Sequence, residues 1–313
     1  MRRTSWPSLL VLSWDAALLV LTSQLARCEG LVASMGAVLT LLWVLVHFYL
    51  LLHECAHGAV FRRPLHNEIL GHLLGFVILC PFLTRRRSHA LHHAWTGHPG
   101  RDPTNARAIR RLSSMSRRKL LLLDVLWRAY VPVLCLNERF GLLLAPFVRD
   151  RAVRTAVSER RAVYVGLTGY LVTFACASEG GVPWRAAAIY TSALLLSLVV
   201  EEMINLPHHL HAPFTEQRLA LSQQGAVTHS CAHLPFWSRY VLLNFGLHEA
   251  HHRWPALPWC DLPAAHRELL LAGQPSMVSN ELAWTYHQRR RPFVEALGQY
   301  IDAPRRAAQS SPS

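Results

Sequence analysis

The sequence predicts an all-α integral membrane protein with four transmembrane helices, re-entrant or interfacial helices, and a cytoplasmic helical cap. Three observations lead there. Of 313 residues, 51% are hydrophobic and only 16% charged, apolar runs of membrane-spanning length recur along the chain, and the basic residues avoid the turns between paired runs. So apolar a chain is not intrinsically disordered. Seven scattered cysteines without a C-x-x-C pair exclude a disulfide-stapled secreted domain and suit a reducing compartment.

A helix needs about 20 apolar residues to cross a bilayer. Residues 9–26 and 31–52 meet that test, interrupted by little besides Asp15 and His47, as do 186–204 and the slightly short 162–178. Arg2 and Arg3 precede the first run and no convincing cleavage site follows it, so it reads as a retained helix. Residues 69–83 contain His72 and Pro81, and residues 120–136 contain Asp124, Arg128 and Pro132. Both read as interfacial or re-entrant pieces. With a cytoplasmic amino terminus, the two outer turns hold only Arg27 and Arg185 of the 32 basic residues, so the other 30 face the cytoplasm. The net charge of +13 therefore needs no nucleic acid. Residues 1–304 read as one membrane domain, and 305–313 as a disordered tail.

Nineteen histidines carry the chemical signal. His53 and His57 stand four residues apart after the second run, which places both rings on one helical face. His89-x-x-His92-His93 and His248-x-x-His251-His252 each offer three rings along one stripe. Asn205-Leu-Pro-His208-His209-Leu-His211 follows the last run. All four clusters fall at cytoplasmic helix ends or in cytoplasmic segments. The first three supply eight imidazoles, and His209 would make nine. A structural zinc uses four ligands and a catalytic zinc three, so the inventory fits two ions, each with an open position. Imidazole-rich sites accept iron, copper or zinc.

With Asp102-Pro103 after the second cluster and Phe245-Gly-Leu-His248-Glu-Ala-His251-His252-Arg-Trp-Pro255 around the third, the chain resembles the membrane fatty acid desaturase superfamily, which also contains carotenoid ketolases and hydroxylases. The resemblance covers most of residues 31–270. It implies two Fe ions on the cytoplasmic face of a cell inner membrane, held by His53, His57, His89, His92, His93, His248, His251 and His252. Asn205 and His209 match an asparagine and histidine that some members place after the last span. The likeness therefore implies His209 as a ninth ligand and Asn205 as a water-mediated one, with His208 and His211 as neighbours able to replace His209. It further implies desaturation of a lipid acyl chain with dioxygen as co-substrate, with hydroxylation or ketolation of a fatty acid, carotenoid or other lipid as the alternative. His98-Pro99-Gly100 is a fragment of the His-Pro-Gly-Gly motif of fused cytochrome domains but reads as a loop. Electrons would then come from a separate carrier such as a ferredoxin, or a b-type cytochrome with its reductase.

Two rivals are weaker. His53-Glu54-x-x-His57 is also the pattern of zinc metalloproteases, but an intramembrane protease would leave both H-x-x-H-H clusters without a role. A metal transporter predicts ionisable groups along the spans, and only Asp15, His47, Glu201 and Glu202 lie there. Glu54, Glu249, Asp102, Glu201 and Glu202 read better as acceptors that orient ligand histidines. His66, His72, His266 and His287 read as ordinary interface or surface residues, His47 as a hydrogen-bonded core residue, and His229 and His233 as a lone i, i+4 pair that is a weak signal at this composition.

Overall fold

Helix boundaries follow the chain's punctuation in this computed structural model, which describes residues 5–147, 157–179, 184–231, 236–273, 277–278 and 281–303. The expected tail and His233 lie outside the described residues. In chain order the helices are α1 (Trp6–Arg27), α2 (Leu31–His57), α3 (Pro64–Val77), α4 (Phe82–Trp95), α5 (Pro103–Ser113), α6 (Arg117–Arg128), α7 (Val133–Leu144), α8 (Val157–Glu179) and α9 (Trp184–His209). Shorter ones follow: α10 (Ser238–Val241), α11 (His248–Arg253), α12 (Leu262–Leu271), α13 (Glu281–Arg290), α14 (Phe293–Ala296) and α15 (Gly298–Ile301). The all-helical expectation needs one small correction. Ser230–Cys231 (β1) pairs in parallel with Met277–Val278 (β2), two residues on each side, because extended backbone there finds its hydrogen-bond partners in another extended segment.

Among the described residues, α1, α2 and α9 are long and apolar enough to cross a membrane, and the number becomes five if the bent pairs α3 with α4 and α6 with α7 each make one crossing. The two pieces expected to be re-entrant or interfacial are these bent pairs. Pro81 and a left-handed Leu79 (φ 55°) break the first, Pro132 and a left-handed Tyr130 (φ 58°) the second. α8, expected as the third span, is a 23-residue helix but less apolar than the other three. Gly166, Thr168, Gly169, Tyr170 and Thr173 dilute its apolar run.

The chain forms two compact units. The first contains Met1–Arg86, Cys135–Glu201 and Tyr240–Leu243. There α1 turns back on α2 through Thr22 and Thr40, whose hydroxyls lie 2.8 Å apart, and through a buried 2.7 Å contact of Asp15 with His47. The other ring nitrogen of His47 reaches the Tyr240 carbonyl at 3.0 Å, so His47 is the hydrogen-bonded core residue its surroundings require. Outward faces remain apolar: Trp6, Leu10, Trp14 and Val20 of α1 and Leu31, Val32 and Met35 of α2 are exposed, as lipid-facing positions should be. The carboxy-terminal half of α2 is buried from Val44 to Cys55 and stops at a left-handed Gly58 (φ 66°), whose N–H returns to the helix.

The second unit contains Arg87–Leu134, Glu202–Arg239 and Asn244–Ser313. One core joins Leu112, Trp127, Leu206, Leu210, Phe293 and Leu297. A second, smaller core packs α12 against Ala250 of α11. Arg289, fully buried, pairs with Glu202 and lies 4.0 Å over the Trp127 ring.

Candidate metal centre

The first unit contributes the end of α2. One helical turn separates His53 from His57, and their ring centroids stand 5.0 Å apart. His53 and Glu54 are buried.

In the second unit, α4 presents His89, His92 and His93, α11 presents His248, His251 and His252, and the last residue of α9 is His209. His92, His209, His248 and His252 form one group whose ligand atoms all lie within 4.8 Å of one another. The Nε2 of His209 is 3.2 Å from that of His92 and 3.1 Å from that of His248, which is 3.1 Å from that of His252. Beside them, the Nε2 of His93 lies 3.1 Å from those of both His89 and His251.

Hydrogen bonding on the far side of each ring decides what this group can hold. The Nδ1 of His92 faces the Asp102 carboxylate at 3.0 Å, that of His252 faces the Gln224 side-chain oxygen at 2.8 Å, and that of His209 faces the Val227 carbonyl at 3.3 Å. Each partner only accepts, so each Nδ1 carries the proton and each Nε2 carries a lone pair. Three lone pairs directed at one buried point repel one another unless a cation sits between them. An ion bound at about 2.0–2.1 Å would space neighbouring nitrogens by roughly 2.9 Å at octahedral or 3.3 Å at tetrahedral angles. The observed 3.1–3.2 Å falls between. Burial, reinforced by the surrounding imidazoles, holds His248 and His252 well below the usual imidazole range. They stay neutral, the form in which histidine binds a metal. The Nδ1 of His248 is buried without a hydrogen-bond partner, while its ring stacks 4.1 Å from that of His208.

The supporting residues are as ordered as the ligands. Besides holding His92, Asp102 accepts the Thr104 N–H at 3.0 Å as the amino-terminal cap of α5, and the Gly97 N–H at 3.3 Å. Gly97 is left-handed (φ 81°) and lies against Val227, where an added Cβ would come within 3.1 Å of that side chain. Thr96 and Gln224 fill the space between α4 and the 3-10 turn Leu221–Val227. Histidine spacing does not reveal Thr96, Gly97, Gln224 or Val227, because none is an obvious ligand type. Thr96 alone had a positional signal, one helical turn after His92.

Of the three histidines after the last span, only His209 turns into the group. The Nδ1 of His208 meets the His229 carbonyl at 3.1 Å, and the Nε2 of His211 meets Gln288 at 3.2 Å. Asn205 is half-buried one turn before His209. Two acidic residues are placed differently from expectation: Glu201 pairs with Arg139 and Glu202 with Arg289, because buried carboxylates need cationic partners more than imidazoles do. Glu249 is buried, and its N–H donates to Ser230. His266, expected as an interface or surface residue, is buried beside Ala265 on the inner face of α12. In the His98-Pro99-Gly100 stretch, the His98 Nδ1 accepts the N–H groups of Gly100 and Arg101, as a turn does.

A family model described as Fatty acid desaturase matches residues 30–278. The chain is 22% identical over 230 residues to the "Fatty acid desaturase" of Bacillus subtilis (strain 168), an alignment covering 71% of this chain and 64% of the relative. It is 24% identical over 238 residues to the "Acyl-lipid omega-3 desaturase (cytochrome b5), endoplasmic reticulum" of Arabidopsis thaliana, covering 70% and 58%. Over 63 residues, 20% of this chain and 14% of the relative, it is 40% identical to the "sn-2 acyl-lipid omega-3 desaturase (ferredoxin), chloroplastic" of the same plant. The chain spans about three fifths of the length of the first two relatives.

Proposed function

The chain belongs to the fatty acid desaturase family, and on that premise we propose that it is a multi-pass membrane oxidoreductase that introduces a double bond into a lipid acyl chain. Two vicinal C–H bonds would break, and dioxygen, with two electrons from a carrier and two protons, would leave as two waters. The observation that carries this reading is the convergence of the buried His92, His248 and His252 with the half-buried His209.

An unactivated C–H bond resists acid and base groups, so a redox-active iron pair supplies the oxidising chemistry when bound. His92, His209, His248 and His252 would hold one ion. His89, His93 and His251 are assigned to the other, and His53 and His57 join the pair on their motif, with Asn205 acting through water. Asp102, Gln224 and the Val227 carbonyl keep protons on the outward Nδ1 atoms, so that the inward Nε2 atoms remain donors. Burial of these rings excludes water from the place where the substrate would be oxidised.

The relatives named for cytochrome b5 and for ferredoxin support a separate electron carrier of one of these kinds. The concentration of arginine outside the paired turns supports a cytoplasm-facing centre in the inner membrane, and accessibility of the exposed Cys28 to an impermeant thiol reagent would test that orientation. The function is tested by expression in a host of known fatty acid composition beside a His92→Ala control. New unsaturated acyl chains only with the native protein support desaturation, whereas hydroxylated chains would move the assignment to a hydroxylase. Zinc in place of iron in the purified protein would favour the metalloprotease.

A further inference from the structure

Gln224 lies in the 3-10 turn Leu221–Val227, far from any histidine motif, and is 1% exposed. Its side chain touches two of them. The amide nitrogen is 2.6 Å from the main-chain oxygen of His93, and the amide oxygen is 2.8 Å from the Nδ1 of His252. Thr96, itself 1% exposed, places its hydroxyl 3.0 Å from the same amide oxygen and 2.7 Å from the His92 carbonyl.

The donor and acceptor roles follow in sequence. A carbonyl can only accept, so the amide group facing His93 must be the NH2. The oxygen then faces His252, and its neighbour Nδ1 must be the protonated nitrogen. That leaves the lone pair of His252 on Nε2, the atom 3.1 Å from the Nε2 of His248. The opposite tautomer would turn an N–H toward the ligand group and bring two acceptors, Nδ1 and the amide oxygen, face to face. The polypeptide of the second motif thus dictates, through one glutamine, the protonation pattern of a ring in the third.

We propose that Gln224 is a positioning residue of the metal centre: clamped by the His93 carbonyl, it fixes the tautomer and the rotation of His252 and so sets how tightly the ion is held. This rests on the metal-centre reading above. It assigns His252 an outer partner that plays the part Asp102 plays for His92, but with a neutral amide in place of a carboxylate.

The test uses the full-length protein in detergent micelles, stripped with a chelator and titrated with Co(II), with affinity read from the visible d–d bands and from competition with a chromogenic chelator. Gln224→Met, close in length but without an amide, is expected to weaken Co(II) binding by about 10–100-fold, the usual effect of losing a ligand's outer partner. Gln224→Glu keeps an acceptor for His252, and its second carboxyl oxygen, protonated in this buried setting, donates to the His93 carbonyl and keeps the clamp, so this variant should stay within about threefold of the native protein. A Met variant with native Co(II) affinity and spectrum overturns the proposal. So does one whose metal-free melting temperature falls while its folded fraction binds as before, since that is a purely structural role. Should the Met variant not fold, a loss of more than about tenfold in Gln224→Glu overturns the proposal by itself. If the native protein fails to bind Co(II), the metal-centre reading fails instead.

Discussion

Replacement of Asp102 by asparagine tests the centre at its most constrained point. Three donors converge on the two carboxylate oxygens: the Thr104 N–H at 3.0 Å on one, the His92 Nδ1 at 3.0 Å and the Gly97 N–H at 3.3 Å on the other. An asparagine of the same shape has one oxygen and one NH2, so it can satisfy only one side. With its oxygen toward Thr104, the NH2 faces His92, whose Nδ1 must then accept. The ring proton moves to Nε2, and the atom 3.2 Å from the His209 Nε2 ceases to be a ligand. The expected loss is about 10–100-fold in metal affinity, or roughly 1.4–2.7 kcal/mol. With its oxygen toward His92, the cap of α5 is lost instead, at about 1 kcal/mol of stability. Asp102→Asn must therefore show one loss or the other. Chelator competition with Co(II) measures the first, and SDS-titration unfolding of the metal-free protein measures the second. A variant unchanged in both, within twofold in affinity and about 0.3 kcal/mol in stability, refutes the assignment of Asp102.

Other consequences can be checked in the same preparations. Gly97→Ala forces a side chain into a left-handed backbone and within 3.1 Å of Val227, whose carbonyl holds His209; unfolding should show a loss of about 1–3 kcal/mol together with weaker Co(II) binding. Arg289→Leu strands the buried carboxylate of Glu202 and should cost about 3–5 kcal/mol, most of it recovered in the double variant Arg289→Leu/Glu202→Leu. Full destabilisation in the double variant would show that the arginine acts mainly through its place over the Trp127 ring and its hydrogen bonds to the Trp127 and Val131 carbonyls. His248 and His252 have folded-state affinities for protons below those of the unfolded chain, so the unfolded state gains protons first as pH falls. The metal-free protein should keep its stability above about pH 6.5 and lose it progressively below. Melting temperatures that stay level between pH 8 and 5.5 would contradict this.

Much of the architecture is readable along the chain because it depends on local periodicity. Apolar runs of fixed length mark α1, α2 and α9, and the prolines at 81 and 132 mark the two bends. The H-x-x-H-H spacing puts His89, His92 and His93, and likewise His248, His251 and His252, on single helical stripes, because helix geometry repeats every 3.6 residues. The resemblance to desaturases rests on these repeating patterns. The supporting contacts have no such period. Gln224 reaches a carbonyl 131 residues away, a pairing that exists only once the chain has folded back on itself, whereas Asp102 caps its own helix locally and reaches a ring ten residues earlier through the turn between α4 and α5. The selection of His209 over its neighbours is of the same kind. α9 carries Pro207 in its last turn and ends at His209, and a left-handed His211 (φ 65°) turns the chain away, so the direction of each ring depends on how the helix ends and which carbonyls lie nearby. Spacing supplies the ligands; their tautomers and their aim depend on hydrogen bonds between distant segments, which only the packed chain contains.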